Sequence, residues 1–191
     1  MVINDRYRFV FVHIPKTGGT SIQEALIQIP GRSDLAAKHT KHETPSELNL
    51  RIGRQRAGEI SDYFFFCFVR NPWDRFLSLF RFLHKLGRHP VPENFEDFVR
   101  LLEARTPWLL SLHSIRPQSD FVSVDNQAVG RFENLESDFQ RFAILIGAEG
   151  QLQHLNSSGG RTEYASWYTK RTAAVIAEYY RQDIKRFSYS Y

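Results

Sequence analysis

Two short stretches of this chain carry residue types that handle anions. The first is Val12-His13-Ile14-Pro15-Lys16-Thr17-Gly18-Gly19-Thr20-Ser21. Gly18 and Gly19 let main-chain N–H groups approach a ligand closely. Thr17, Thr20 and Ser21 add hydroxyls, and Lys16 adds a mobile positive charge. Where such a turn joins a strand to a helix, the N–H groups and the helix dipole converge and favour negative charge. Lys16 precedes both glycines, whereas the nucleotide-triphosphate loop places its Lys after the last Gly. This lysine would therefore meet an anion from the strand side. The plain alternative is a tight turn with a surface Lys and a Thr/Ser cap.

The second stretch is Phe68-Val69-Arg70-Asn71-Pro72-Trp73-Asp74-Arg75, running on to Ser78. Arg70 offers a planar fork suited to phosphate-like oxyanions. Ser78 stands about two helical turns further on. The plain alternative pairs Arg70 with Asp74 and turns Ser78 toward a neighbouring helix. Arg75 reads as structural, with nearby carboxylates as its expected partners.

Proton transfer near neutral pH calls for histidine. The candidates are His13, His39, His42, His84, His89, His113 and His154. His13 falls inside a strand and reads as packed. His84 and His89 read as surface residues, and His113 and His154 as loop contacts. His39 and His42 lie in a polar segment between the two anion-handling stretches, where an acceptor would enter.

These residues must be held by regular elements. Tyr7–Ile14 and Tyr63–Val69 are apolar on both faces and read as central strands. Ser21–Ile29 has apolar residues at helical spacing, stopped by Pro30 and Gly31. A weaker helix is expected near Pro45–Leu50. Pro72 suits a first helical turn, and Phe76, Leu79, Phe80 and Leu83 continue that helix. Phe95–Ala104 reads as a helix capped by Asn94. Phe121–Val124 and Ala128–Phe132 read as short strands around an Asp125-Asn126 turn. Asn134–Ile146 is a helix ended by Gly147, and Thr172–Phe187 is one last helix. The order implies an α/β fold, P-loop-like and three-layered, with a central, mainly parallel sheet flanked by helices. In such sheets ligands bind beyond the carboxyl ends of the strands. Lys16 and Arg70 are therefore expected to share one crevice, suited to a ligand with two separate anionic groups.

Composition sets the outer limits. The chain has 191 residues, 42% hydrophobic and 24% charged, which excludes a disordered or collagen-like chain. This length predicts a single domain over residues 1–191. One cysteine excludes an internal disulfide and a cysteine-rich zinc site. No signal-peptide pattern or membrane-spanning apolar run is present. The formal charge of +4 suits an anionic ligand, and 19 of the 25 basic residues are Arg. They are scattered among acids, which argues against a nucleic-acid partner.

Taken together, the two stretches resemble motifs of the sulfotransferase superfamily. The similarity is greatest to the branch holding carbohydrate sulfotransferases and their bacterial relatives. The first stretch resembles the family's 5′-phosphosulfate loop; the second resembles its 3′-phosphate motif, Arg-to-Ser spacing included. Arg116–Phe121, Gly130–Leu135, Leu155–Ser158 and Asp183–Tyr189 are similar to further family segments, so the likeness covers nearly the whole chain.

The resemblance implies the donor 3′-phosphoadenosine 5′-phosphosulfate and transfer of its sulfuryl group to an acceptor hydroxyl, with no metal. Lys16 would stabilise the leaving phosphate, and Thr17, Gly18, Gly19, Thr20 and Ser21 would cradle the 5′-phosphate. Arg70 and Ser78 would hold the 3′-phosphate, and Arg161 would close over the nucleotide. Lys41-His42-Glu43-Thr44, followed by Glu47-Leu48, resembles the segment carrying the catalytic base, which makes His42 the first choice and His39 the second. A glycan or glycolipid acceptor is favoured. The domain begins within a few residues of Met1, so a cytoplasmic enzyme is expected. Two readings compete. A P-loop nucleotide kinase or hydrolase would want a Gly-Lys-Ser/Thr ending and an acidic metal ligand. A family member that binds the nucleotide without turnover would keep the same residues.

Overall fold

The computed structural model describes residues 1–36, 41–122, 127–148 and 163–191. The chain divides into two compact units: Met1–Val69 with Asp120–Ser158, and Arg70–Ser119 with Gly159–Tyr191.

The first unit is built on a four-stranded sheet in sequence order. β2 (Phe9–Val12), β3 (Phe64–Val69) and β4 (Ala128–Arg131) run parallel, with Phe11 opposite Phe66 and Cys67 opposite Val129. β1 (Val2–Asn4) adds an antiparallel edge. The expected parallel centre is thus present, and β1 extends it. Phe9, Phe11, Phe66 and Phe68 share one face through the two-residue period of a strand. They pack on Ile22 and Leu26 of α1 (Gly19–Leu26) and on Phe139 and Phe142 of α6 (Leu135–Leu145). Phe66 and Phe142 have ring centroids 5.2 Å apart, and Phe68 and Phe142 5.4 Å. Each such ring removed from water is worth about 1.5–3 kcal/mol, and this face fixes the strand ends.

The same unit holds α2 (Pro45–Glu59), longer than its weak periodicity suggests. Thr44 and Glu47 form a reciprocal capping box at its start. Gly53 (φ 78°) breaks the helical path within it. Of the short strands expected around Asp125-Asn126, Ala128–Phe132 is present as β4, while the turn itself and the end of Phe121–Val124 fall outside the described residues. Gln118–Phe121 is a 3-10 turn, β4 pairs in parallel with β3, and residues 123–126 lie outside the described part. The 3-10 turn forms because the main-chain N–H groups of Gln118 and Ser119 are bound by the Asp183 carboxylate, not by a strand.

The second unit is helical: α3 (Pro72–Leu86), α4 (Phe95–Glu103), α5 (Pro107–Leu110), α7 (Lys170–Tyr179) and α8 (Arg181–Phe187). Its core contains Phe76, Phe80, Leu83, Phe98, Leu102, Ile176 and Tyr180. Asn94 caps α4 as expected, accepting from Asp97 N at 2.8 Å. The expected last helix is in fact two. The break is at Tyr180 (φ −101°, ψ 26°), whose buried hydroxyl donates to Ile115 O at 2.9 Å. Among the described residues no helix is long and apolar enough to cross a membrane.

Candidate functional site

β2 delivers the chain to His13, and the next five residues make the turn into α1. Lys16 has φ 69°, a left-handed conformation that costs a non-glycine residue about 1 kcal/mol or more. Gly18 (φ 77°) follows in the same region and is the residue preceding α1. Among the described residues no side chain caps this helix start, so its first N–H groups keep the character of an anion-binding terminus. Thr17 is buried, and its hydroxyl donates to Ile14 O at 2.9 Å. That hydroxyl braces the turn, while Thr20 and Ser21 are exposed. Gly19 is required by close approach: a Cβ there would lie 2.3 Å from His13 Cδ2.

His13 is packed, as expected, with 2% exposure. Its Nδ1 lies 3.1 Å from Gln23 Oε1; an amide oxygen only accepts, so Nδ1 carries the hydrogen. Burial, with the neighbouring His42 next in size, pushes the His13 pKa down to about 2, so the ring stays neutral. The two rings meet edge to face with centroids 4.6 Å apart.

His42 is half-buried and donates from Nδ1 to the main-chain oxygen of His13 at 3.0 Å. A carbonyl only accepts, so in the neutral ring the lone pair is on Nε2. Residues 41–44 are each held. Met1 N donates to Lys41 O (2.7 Å), Arg51 grips Glu43 through Nε and Nη2 (2.8 and 2.9 Å), and Thr44 caps α2. Lys41 Nζ donates to Thr20 Oγ1 at 3.3 Å, a second cation at the loop that sequence reasoning did not single out. His39 and Arg161 lie outside the described residues.

In the second unit, Arg70 follows β3 directly and is 8% exposed. Asp74 takes one edge of its guanidinium: Oδ2 accepts from Nε at 2.9 Å, and Oδ1 lies 2.8 Å from Nη2 in the ion pair. The pairing foreseen as the plain alternative therefore exists, and it orients the fork. Ser78 is half-buried on α3, one helical turn beyond Asp74 on the same face. Arg75 is structural, with 1% exposure. Its Nη2 donates to Ser114 O and Arg116 O (both 3.0 Å), carbonyls where carboxylates were expected. Asn71 Nδ2 donates to Ser190 O (2.9 Å) and to Tyr164 Oη (3.2 Å), contacts between residues far apart in sequence. Among the described residues no group of three or more His, Cys, Asp or Glu side chains is placed to hold a metal ion.

Comparison with known proteins agrees with these motifs. The chain is 26% identical over 218 residues to carbohydrate sulfotransferase 8 of Mus musculus, covering 94% of this chain and 50% of that protein. It is 26% identical over 170 residues to carbohydrate sulfotransferase 14 of Homo sapiens, covering 72% and 44%. The chain spans about half the length of the curated relatives it matches. The crystal structure of mouse sulfotransferase SULT7A1 complexed with PAP superposes with a TM-score of 0.57 at 15% identity, covering 96% of this chain and 86% of that one. That likeness establishes the P-loop-like fold. The model of the sulfotransferase family matches residues 1–190, both of the stretches around Lys16 and Arg70 and everything between them, and so this chain belongs to the sulfotransferase family.

Proposed function

We propose that this protein transfers the sulfuryl group of 3′-phosphoadenosine 5′-phosphosulfate to an acceptor hydroxyl, with a glycan as the favoured acceptor. One observation carries the reading. At the end of β2 the fold places the Lys16 turn, an uncapped helix start and an imidazole hinged on His13 O. Those are the three parts that sulfuryl transfer needs: a cation, aligned N–H donors and a base. A solved sulfotransferase of the same fold is complexed with PAP, and the sequence relatives are carbohydrate sulfotransferases. These names support the donor and the acceptor class respectively.

The proposed roles follow from charge. The acceptor oxygen attacks sulfur in line while the bridging bond from sulfur to the 5′-phosphate oxygen breaks. Negative charge grows on that leaving oxygen, and Lys16 with the α1 N-terminus stabilises it most in the transition state. His42 Nε2 accepts the acceptor's proton, its other nitrogen being occupied by His13 O. Adenosine 3′,5′-bisphosphate leaves, its 3′-phosphate held by Arg70 and Ser78. Calorimetry with adenosine 3′,5′-bisphosphate, followed by a labelled-donor assay across hydroxyl acceptors, tests the reading. Saturable binding and label transfer to a glycan are expected; absence of binding at millimolar nucleotide rejects it.

A further inference from the structure

β3 ends at Val69, paired with Arg131 of β4. Arg70 is the next residue and lies in the second unit, buried. Its main-chain N–H and C=O both need partners there. A single side chain supplies both. Gln118 Oε1 accepts from Arg70 N at 2.8 Å, and Gln118 Nε2 donates to Arg70 O at 2.9 Å. The amide thus takes the place of one more strand rung. Gln118 is itself clamped, because Asp183 Oδ2 accepts from Gln118 N at 2.7 Å and Asp183 Oδ1 from Ser119 N at 2.8 Å.

Gln118 and Asp183 both have 0% exposure. Burying an amide and a carboxylate is costly unless every group is bonded, so a complete network fixes one geometry. The network converges on the peptide unit from which the Arg70 side chain springs. Asp74 orients the other end of that side chain. Backbone and guanidinium are therefore fixed independently.

We infer that Gln118 and Asp183 are positioning residues for Arg70, holding its peptide unit so that the guanidinium stands ready for the nucleotide's 3′-phosphate. The inference rests on the proposed role of Arg70. Neither residue touches the nucleotide; they act through the residue that does.

The test compares affinity for adenosine 3′,5′-bisphosphate with affinity for adenosine 5′-monophosphate, by calorimetry on the whole chain. Gln118→Met keeps the length and removes both hydrogen bonds. Gln118→Glu keeps the acceptor for Arg70 N and removes the donor. Thermal unfolding of each variant shows the folded fraction. The expected result is an affinity for the bisphosphate about tenfold weaker, the size of one lost charge-assisted contact, with monophosphate affinity within about twofold. Asp183→Asn should act in the same direction and more weakly, since one oxygen acceptor survives. Equal weakening toward both nucleotides, no change in either, or failure of both Gln118 variants to fold would make the brace structural only and overturn the inference. The underlying role of Arg70 is judged separately: if wild type already ignores the 3′-phosphate, that reading fails first.

Discussion

Around Lys16 the fold works with main chain. A left-handed lysine, a left-handed glycine, an uncapped helix start and the carbonyl of His13 do the shaping, nearly all within the run from Val12 to Ser21. Around Arg70 it works with side chains drawn from distant sequence: Gln118 is 48 positions away, and Asp183 lies 65 beyond Gln118. The first arrangement suits charge that changes during a reaction, because fixed dipoles need no reorganisation. The second suits charge that stays constant, because a rigid fork recognises a permanent phosphate. Substitutions in the two regions should therefore damage different quantities.

The largest effect is expected at His42. His42→Ala should lower the transfer rate about 10²–10⁴-fold, the usual share of a general base. Calorimetric affinity for adenosine 3′,5′-bisphosphate should stay near wild type. Full turnover in that variant would remove His42 from the mechanism.

Next is Lys16→Ala, with an expected loss of about 10²–10³-fold in rate, as for removal of one group that stabilises a developing oxyanion. Its effect on bisphosphate binding should be much smaller; an equal loss in both would mean that Lys16 binds ground and transition states alike. Arg70→Ala sharpens the contrast. It should weaken bisphosphate binding about ten- to hundredfold and abolish preference over the nucleotide lacking the 3′-phosphate. A retained preference would move the 3′-phosphate elsewhere.

The smallest effect is on stability. His13 has a folded-state pKa of about 2, against about 6.5 in the unfolded chain. Above pH 6.5 the ring is neutral in both states and its contribution is complete. As pH falls below that value, only the unfolded chain takes up the proton, so stability declines by roughly 1 kcal/mol per pH unit from this group. Urea unfolding between pH 7 and 5, wild type against His13→Gln, measures it. Parallel slopes would show that the ring does not resist protonation.

What could be read in advance follows the same division. The Lys16 turn and the start of α3 were legible because glycine, proline and apolar period act over a few neighbours. So was His13 as a packed residue, sitting inside an unbroken β-branched and aromatic run. Gln118 and Asp183 were not legible. A Gln in Arg-Pro-Gln-Ser-Asp carries no sign that its amide replaces a strand rung, and nothing local links it to α8. The same holds for Asn71, whose amide bonds Ser190 and Tyr164. The 3-10 turn at Gln118–Phe121 was hidden for the same reason: the carboxylate that binds its first N–H groups comes from Asp183. The split between α7 and α8 was hidden too, since Tyr180 is a fair helix former whose buried hydroxyl follows a long-range partner.

Arg51 stands out toward solvent, and an engineer trimming surface charge would reach for it early. Yet its guanidinium clasps Glu43, the residue next to His42. Exchanging it would slacken the tether of an imidazole nine residues upstream of the helix surface being edited. Solubility redesign of this chain should therefore leave that arginine alone, and a dicarbonyl reagent that modifies it would be felt as lost turnover before any loss of fold.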